Sequence, residues 1–214
     1  MRLLVTAGPT REHLDPVRFL SNRSTGKMGF ALAQCAAVRG HTVTLLAGPV
    51  ALPTPPGVQR VDVVSARDLL FAVEANLDAC DALVMCAAVA DWRPKQASAA
   101  KLKKRDMSPS LALEPNPDIL ATIRSRKGGR IFVGFAAETG DPRPEGRRKL
   151  ADKGLDLLVA NDVSQPDAGF AADTNRVTLI PRNGAEETLP LLSKLEVAER
   201  IVAWVEKTAR AQTH

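Results

Sequence analysis

The sequence contains no tyrosine, and its aromatic residues together make up 4% of 214 positions. Proteins that hold single-stranded nucleic acid use aromatic rings as stacking platforms, so this shortage argues against that class despite a formal net charge of +5. The basic residues fall in separate places, at 101–105 and 147–153, rather than along one helix. That distribution suits a small anionic substrate better than nucleic acid. Cysteine is scarce: Cys35, Cys80 and Cys86 show no CxxC spacing and no nearby histidine pair, so neither a disulfide framework nor a zinc site is expected. His13, His41 and His214 are scattered without triad spacing. No stretch is long and apolar enough to span a bilayer, and the first residues lack the layout of a signal peptide. The expectation is a cytoplasmic protein with no membrane contact. Hydrophobic content of 45% supports a real core, and residues 1–214 read as a single domain.

What is present is concentrated at the start, where residues 3–30 run LLVTAGPTREHLDPVRFLSNRSTGKMGF. An apolar run at 3–5 ends in the small-residue turn Thr6-Ala7-Gly8-Pro9-Thr10. Ser24-Thr25-Gly26-Lys27 then opens an alanine-rich helical stretch. A strand feeding a helix through a glycine turn presents free backbone N–H groups to an anion. Such connections usually take about two to six residues. This one runs from Gly8 to about Thr25 and carries Arg11, Glu12, Asp15, Arg18, Asn22 and Arg23. It reads as one long polar loop that forms a site.

Further along, residues 27–38 read as a helix whose Ala31, Ala33, Ala36 and Ala37 allow close packing on a sheet, stopped by Gly40. Strands are expected at 42–46 and 60–64, separated by a proline-rich loop at 49–57. Ser65 with Asp68 forms a capping box that opens a helix to about Leu77. The run ALVMCAA at 82–88 reads as a strand buried on both faces. Residues of about 92–110 break the pattern with Pro94, Pro109 and the basic run 101–105, and read as a mobile flap. A short strand at 111–113 precedes a helix with Asn116 as N-cap and Pro117 in the first helical position. A strand at 131–135, a loop at 140–146, a basic helix at 147–153 and a strand at 155–160 follow. Residues 164–174 read as polar loop. Residues 176–180 and 187–191 pair across Asn183-Gly184 as a hairpin. Ser193 with Glu196 is a second capping box. It opens a helix with Leu195, Ala198, Ile201, Val202 and Val205 on one face.

Strands alternating with helices imply an α/β, Rossmann-like fold: a mostly parallel sheet flanked by helices, with a C-terminal antiparallel hairpin. Ligands on such sheets lie beyond the carboxyl ends of the strands. The expected strand tails there are small: Ala47-Gly48-Pro49, Cys86-Ala87-Ala88, Phe135-Ala136-Ala137 and Ala160-Asn161-Asp162.

Neither ordinary nucleotide signature fits. A Walker A loop needs Gly where the chain has Ser21 and Ser or Thr where it has Met28. The dinucleotide GxGxxG is absent, and Pro9 has no N–H to give. Gly26 either serves a ligand or merely permits close packing of helix on sheet. A helix N-terminus contributes about 0.3–1 kcal/mol to holding an anion, whereas a cation at about 4 Å gives roughly 4 kcal/mol at an effective dielectric of 20. The basic run at 101–105 is either a solvated charge run or a partner for phosphates; a triphosphate would recruit lysines and a metal, and Lys101, Lys149 and Lys153 are the candidates. Asp91, just past a buried strand, either orients a metal or ribose or caps a turn. Asn22 is either a turn residue or a donor to a developing oxyanion.

The strings VTAGPTRE (5–12), DPVRFLSNRSTGKMG (15–29), AGPVALPTPPGV (47–58), CAAVADW (86–92), KLKK (101–104), NPDIL (116–120), VGFAAET (133–139) and LLVANDVS (157–164) together resemble bacterial phosphopantothenate–cysteine ligase, also called phosphopantothenoylcysteine synthetase. The resemblance implies coenzyme A biosynthesis by a two-step reaction. The carboxylate of 4′-phosphopantothenate is activated by CTP with Mg²⁺ as an acyl-cytidylate, and the amine of cysteine then displaces CMP. It further implies that Asn22 holds the substrate carboxyl and the acyl-cytidylate, with Arg18, Ala87 and Ala88 near the substrate. Lys101 on the flap is implied to neutralise phosphate charge. The CTP pocket then comprises Met85, Cys86, Ala87, Ala88, Asp91, Pro117, Asp118, Ile119, Leu120, Phe135, Lys149 and Lys153, with Ser24 and Gly26 facing the triphosphate and Asp91 as the candidate metal ligand. A homodimer is implied, as is a flavin-dependent decarboxylase domain elsewhere in the native protein. The competing expectation is an NAD(P)-dependent Rossmann-type reductase, which the missing GxGxxG and the missing tyrosine count against.

Overall fold

Leu3, Val5 and Ala7 alternate with Leu4 and Thr6, and all five are buried. Successive side chains of a strand point to opposite faces, so this strand needs cover on both sides. In the computed structural model, which describes residues 1–106, 110–138, 140–141, 143–162 and 172–212, it is β1 (Arg2–Ala7). There follow β2 (Arg11–His13), β3 (Phe19–Ser21), α1 (Lys27–Val38), β4 (Thr42–Ala47), β5 (Val58–Asp62), α2 (Ala66–Leu77) and β6 (Ala82–Met85). Next come β7 (Trp92–Pro94), β8 (Leu113–Pro115), α3 (Ile119–Ile123), β9 (Ile131–Glu138), α4 (Arg143–Asp152) and β10 (Leu157–Asp162). The chain closes with β11 (Thr174–Asn175), β12 (Val177–Pro181), β13 (Glu187–Thr188), β14 (Leu192–Ser193) and α5 (Lys194–Gln212).

Among the described residues the main sheet has eight strands in the order β13-β12-β10-β9-β6-β1-β4-β5. From β5 to β10 the strands are parallel, and β12 and β13 join antiparallel as the expected hairpin. The order runs outward from β1 in both directions, so the connections reverse between β1 and β6. A crevice opens at such a switch point, beyond the carboxyl ends of the strands. One face carries α1 and α5, with Leu3, Val5 and Ala7 packed against Ala33, Ala36, Val197 and Ile201. The other carries α2, α3 and α4, with Leu4 packed in one cluster with Leu69, Ile123 and Leu150. Gly29 sets how close α1 sits. A Cβ there would lie 2.4 Å from Ala7 Cβ and 2.9 Å from Thr6 O, so only glycine lets the helix touch the strand.

Both capping boxes form. Ser65 Oγ accepts from Asp68 N while Asp68 Oδ2 accepts from Ser65 N, and Ser193 and Glu196 exchange the same pair of bonds. Other expectations shift. The connection from Gly8 to Thr25 is not an unbroken loop: β2 and β3 pair within it as a small hairpin, because the Asp15 carboxylate accepts from the backbone of Val17 and Arg18 and organises the turn. The strands expected at 60–64, 111–113 and 155–160 lie two residues away, at β5, β8 and β10. The run at 82–88 stays in the sheet only to Met85. Asp118, not Asn116, caps α3 by accepting from Ala121 N. Asn116 instead donates its side-chain amide to Ala90 O. Helix α4 begins at Arg143, inside the expected loop, because Asp141 accepts from the Arg143 amide and Pro144 sits in the first turn, where its missing N–H leaves no gap. On α5, Ala198, Ile201, Val202 and Val205 form the buried stripe as expected, but Leu195 is 43% exposed and Val197 is buried in its stead. Of the polar loop at 164–174, residues 164–171 lie outside the described residues, and Thr174 and Asn175 form β11, paired with β14.

Candidate functional site

The crevice is built by carrying β1 and β6 past their ends side by side. Thr6 is buried, and its Oγ1 accepts from the backbone of Cys86 and Ala87 at 3.1 and 3.0 Å. Ala88 then bridges to Pro9: its N–H donates to Gly8 O and its carbonyl accepts from Thr10 N. Thr10 Oγ1 takes the Ala90 amide at 2.9 Å. Small side chains at 86–88 keep this extension thin, and a hollow opens on each side of it.

The larger one is a groove of about 370 Å³. Asn22 lines it from the β3 side, its Nδ2 donating to Ala88 O at 2.9 Å. Met85, Ala87, Ala88 and Asp91 line it from β6 and the segment after it, Pro117, Asp118, Ile119 and Leu120 from the start of α3, Phe135 from β9, and Lys149 and Lys153 from α4. Lys153 Nζ stands 3.4 Å from Asp118 Oδ2, and Lys149 Nζ 3.8 Å from Glu145 Oε1. Eleven of the residues expected around CTP, together with Asn22, therefore meet in one groove.

The smaller hollow, about 130 Å³, lies toward α1 and α5 and shares Ala87, Ala88, Phe135, Ala136 and Ala137 with the groove. Ser24, Gly26 and Cys86 belong here, away from Lys149 and Lys153. Gly26 adopts φ +80°, which favours glycine, and α1 starts there without a side-chain cap. The back wall comes from far along the chain: Asn161 at the end of β10, Asn175 in β11 and Lys194 at the start of α5. Burial pushes the Cys86 thiol up to about 12, so it stays protonated and acts as an apolar wall. Burial and the nearby Lys27 charge lower the Lys194 ammonium below its ordinary value.

Lys101 and Arg18 line neither hollow. Lys101 is exposed, and Arg18 serves the flap. Asp15 is 1% exposed, and its carboxylate accepts from the Arg18 guanidinium at 2.5 and 3.0 Å and from Leu102 N at 3.1 Å. Arg18 Nη2 also donates to Leu102 O, and Ser98 N to Leu14 O. The Arg18 hydrogen bonds hold the Asp15 carboxyl well below the usual carboxylate range. At its base the flap is the β7–β8 ladder. The segment expected to be a mobile flap is thus fastened to the β2–β3 turn at the residue after Lys101. Nothing local marks Asn175 or Lys194 as members of the site; Asn161 carries a signal, since it follows a buried strand at the carboxyl edge. Among the described residues no group of three His, Cys, Asp or Glu side chains converges to hold a metal.

Residues 1–209 match the family model described as the DNA/pantothenate metabolism flavoprotein C-terminal domain. The coenzyme A biosynthesis bifunctional protein CoaBC of Bacillus subtilis (strain 168) is 48% identical over 201 residues, 94% of this chain and 50% of its own. The protein of that name from Escherichia coli (strain K12) is 45% identical over 219 residues, 98% of this chain and 54% of its own. The chain spans about half the length of these curated relatives. The crystal structure of the C-terminal domain of a CoaBC protein matches with a TM-score of 0.84 at 41% identity over 98% of both chains. That of the DNA/pantothenate metabolism flavoprotein from Streptococcus pneumoniae matches at 0.83 with 25% identity, over 97% of this chain and 99% of its own.

Proposed function

The chain belongs to the DNA/pantothenate metabolism flavoprotein C-terminal domain family, as a phosphopantothenate–cysteine ligase domain, and from that membership we propose that it joins 4′-phosphopantothenate to cysteine at the expense of CTP. The observation that carries this reading is the groove itself. It sets the neutral amide of Asn22 on one side and the cations Lys149 and Lys153 on the other.

A carboxylate is a poor acyl donor. In the first step the substrate carboxylate attacks the α-phosphate of CTP, forming a mixed anhydride and releasing pyrophosphate. In the second, the cysteine amine attacks the acyl carbon, loses a proton, and expels CMP. Lys149 and Lys153 stabilise the negative charge that gathers on the phosphates. Asn22, oriented by Ala88 O, adds a hydrogen bond to the acyl oxygen without adding charge. Lys101 approaches on the fastened flap and neutralises the leaving pyrophosphate. The groove holds two exposed carboxylates, Asp91 and Asp118; Asp118 faces Lys153, so Asp91 is the one that would hold Mg²⁺, an ion usually taken by one or two carboxylates plus substrate phosphates. When bound, the ion supplies further charge stabilisation to the phosphates.

Two short hairpins, β2–β3 and β7–β8, lie against each other and expose Val17, Phe19, Trp92 and Leu113. That apolar surface supports a homodimer. The strand order is one that dinucleotide-binding reductases also use, but no residue in either hollow favours hydride transfer. In the relatives the other half of the chain is available for the decarboxylase expected from the resemblance.

Pyrophosphate release tests the reading. With CTP, 4′-phosphopantothenate and Mg²⁺ the protein should release about one pyrophosphate per site, and added cysteine should convert this into turnover with CMP formed in equal amount. No release under either condition overturns it.

A further inference from the structure

Glu12 is the middle residue of β2 and is 4% exposed. Successive side chains of a strand point to opposite faces. On the outer face the Arg11 guanidinium lies 4.5 Å from the centre of the Phe19 ring, and the His13 ring meets the same ring edge-on. Glu12 turns the other way, and its Oε1 accepts from Ala66 N at 2.9 Å. Ala66 opens α2, and its N–H is one of the four that a helix cannot bond internally. The cap of α2 leaves that amide for Glu12, because Ser65 Oγ takes Asp68 N instead. Burying a carboxylate is costly unless it is hydrogen-bonded, and the positive end of a helix is a favourable seat for it. The carboxylate lines neither hollow, so its use lies in what it holds.

What it holds is the hairpin that ends at Asn22. Among the described residues β3 pairs with β2 alone, and a hairpin of three residues per strand has little stability of its own. Asn22 directly follows β3, and no helix or strand succeeds it until Lys27. Its place therefore depends on where β2 is fastened. At one end Thr10 ties the hairpin to the segment after β6, its N–H donating to Ala88 O and its Oγ1 accepting from Ala90 N. One point of attachment lets a two-stranded ribbon swing. The bonds to the approach and start of α2, Arg11 N to Val64 O at 2.8 Å and Ala66 N to Glu12, remove that freedom. Glu12 makes its bond directly opposite Leu20, close before Asn22. We propose that Glu12 is a positioning residue of the ligase: seated on the N-terminus of α2, its carboxylate fixes the β2–β3 hairpin so that the Asn22 amide stays at the wall of the groove.

This rests on the ligase reading, and the test separates the two. Glu12→Leu removes the acceptor at similar size, and Glu12→Gln keeps an oxygen for Ala66 N. Formation of the amide and hydrogen exchange of the backbone amides are measured for both. A displacement of about 1 Å near the chemistry costs on the order of a hundredfold, so in Glu12→Leu kcat should fall roughly ten- to a hundredfold with KM for CTP unchanged. Exchange should quicken about tenfold or more in β2 and β3 and stay as it was in β6. Glu12→Gln should recover most of the rate. A general loss of stability would quicken β6 alike. An unchanged rate, or unchanged exchange in β2 and β3, overturns the proposal, and so does quickening spread evenly over β2, β3 and β6. If Glu12→Leu does not fold, Ala66→Pro removes the donor from the other side. Proline suits the first position of a helix, Ser65 before it is already extended, as proline requires, and the same losses are expected. If the unaltered protein turns over no substrate, the ligase reading falls, while the exchange comparison still shows whether Glu12 holds the hairpin.

Discussion

The two hollows on either side of residues 86–88 differ in how they treat charge. The groove gathers its ionic groups on flexible stems. Lys149 and Lys153 are 30% and 32% exposed and rest against Glu145 and Asp118 at 3.8 and 3.4 Å, distances too long for tight pairing. Such loose pairs contribute little to stability, so a phosphate displaces the carboxylates at small cost. The smaller hollow keeps its polar groups rigid and buried, on the ends of β10, β11 and α5. The contrast is one of solvent: the groove's cations are screened by water, and the polar groups of the hollow, Asn161, Asn175 and Lys194, are desolvated.

The largest expected effect breaks the hollow and spares the groove. Gly29→Ala places a methyl 2.4 Å from Ala7 Cβ. Overpacking of this kind costs about 1–3 kcal/mol or more, and α1 must move off β1. Thermal unfolding should show the loss, and an unchanged melting temperature would mean that α1 has room to shift.

Next comes the clasp that governs Lys101. Asp15→Asn removes the buried charge that Arg18 and Leu102 N share, a loss of about 1–3 kcal/mol. Pyrophosphate release should slow while nucleotide affinity stays, and an unchanged rate would free Lys101 from the clasp. The pH course carries the sign. Because the Arg18 hydrogen bonds lower the Asp15 value in the folded protein, this stabilisation is full above the ordinary carboxylate range near pH 4. It fades only as pH falls through the lower folded value.

The smallest effect sharpens the contrast. Lys149→Gln and Lys153→Gln should each raise KM for CTP about tenfold, near 1.4 kcal/mol, more steeply at low salt. An unchanged KM at low salt would put the phosphates away from α4.

Much of the frame was legible in local pattern. The alternation at 3–7, the alanines of α1 and the capping pairs Ser65–Asp68 and Ser193–Glu196 each carry their own instructions within a few residues. What escaped depended on partners far away. Asn116 has the right chemistry for a cap, but Ala90 O claims its amide, and Asp118 caps instead. The β2–β3 hairpin is three residues per strand, too short for periodicity to register. Arg143 starts a helix because Asp141 receives its amide, against the turn chemistry of glycine and proline around it. The groove was readable because its members lie at the tails of apolar strands or in basic helical turns. The back of the smaller hollow was not, since Asn175 and Lys194 are brought together by the β11–β14 pairing and by bonds from Lys194 to the backbone before Asn175, neither of which local pattern announces.

The Thr6 hydroxyl holds the amides of both Cys86 and Ala87, so one side chain of the central strand fixes the partition between the chambers. With its two N–H groups already engaged, that partition has no amide of its own at Cys86 or Ala87 to lend a visitor. Occupants on either side meet a surface that the strand has set before any of them arrives.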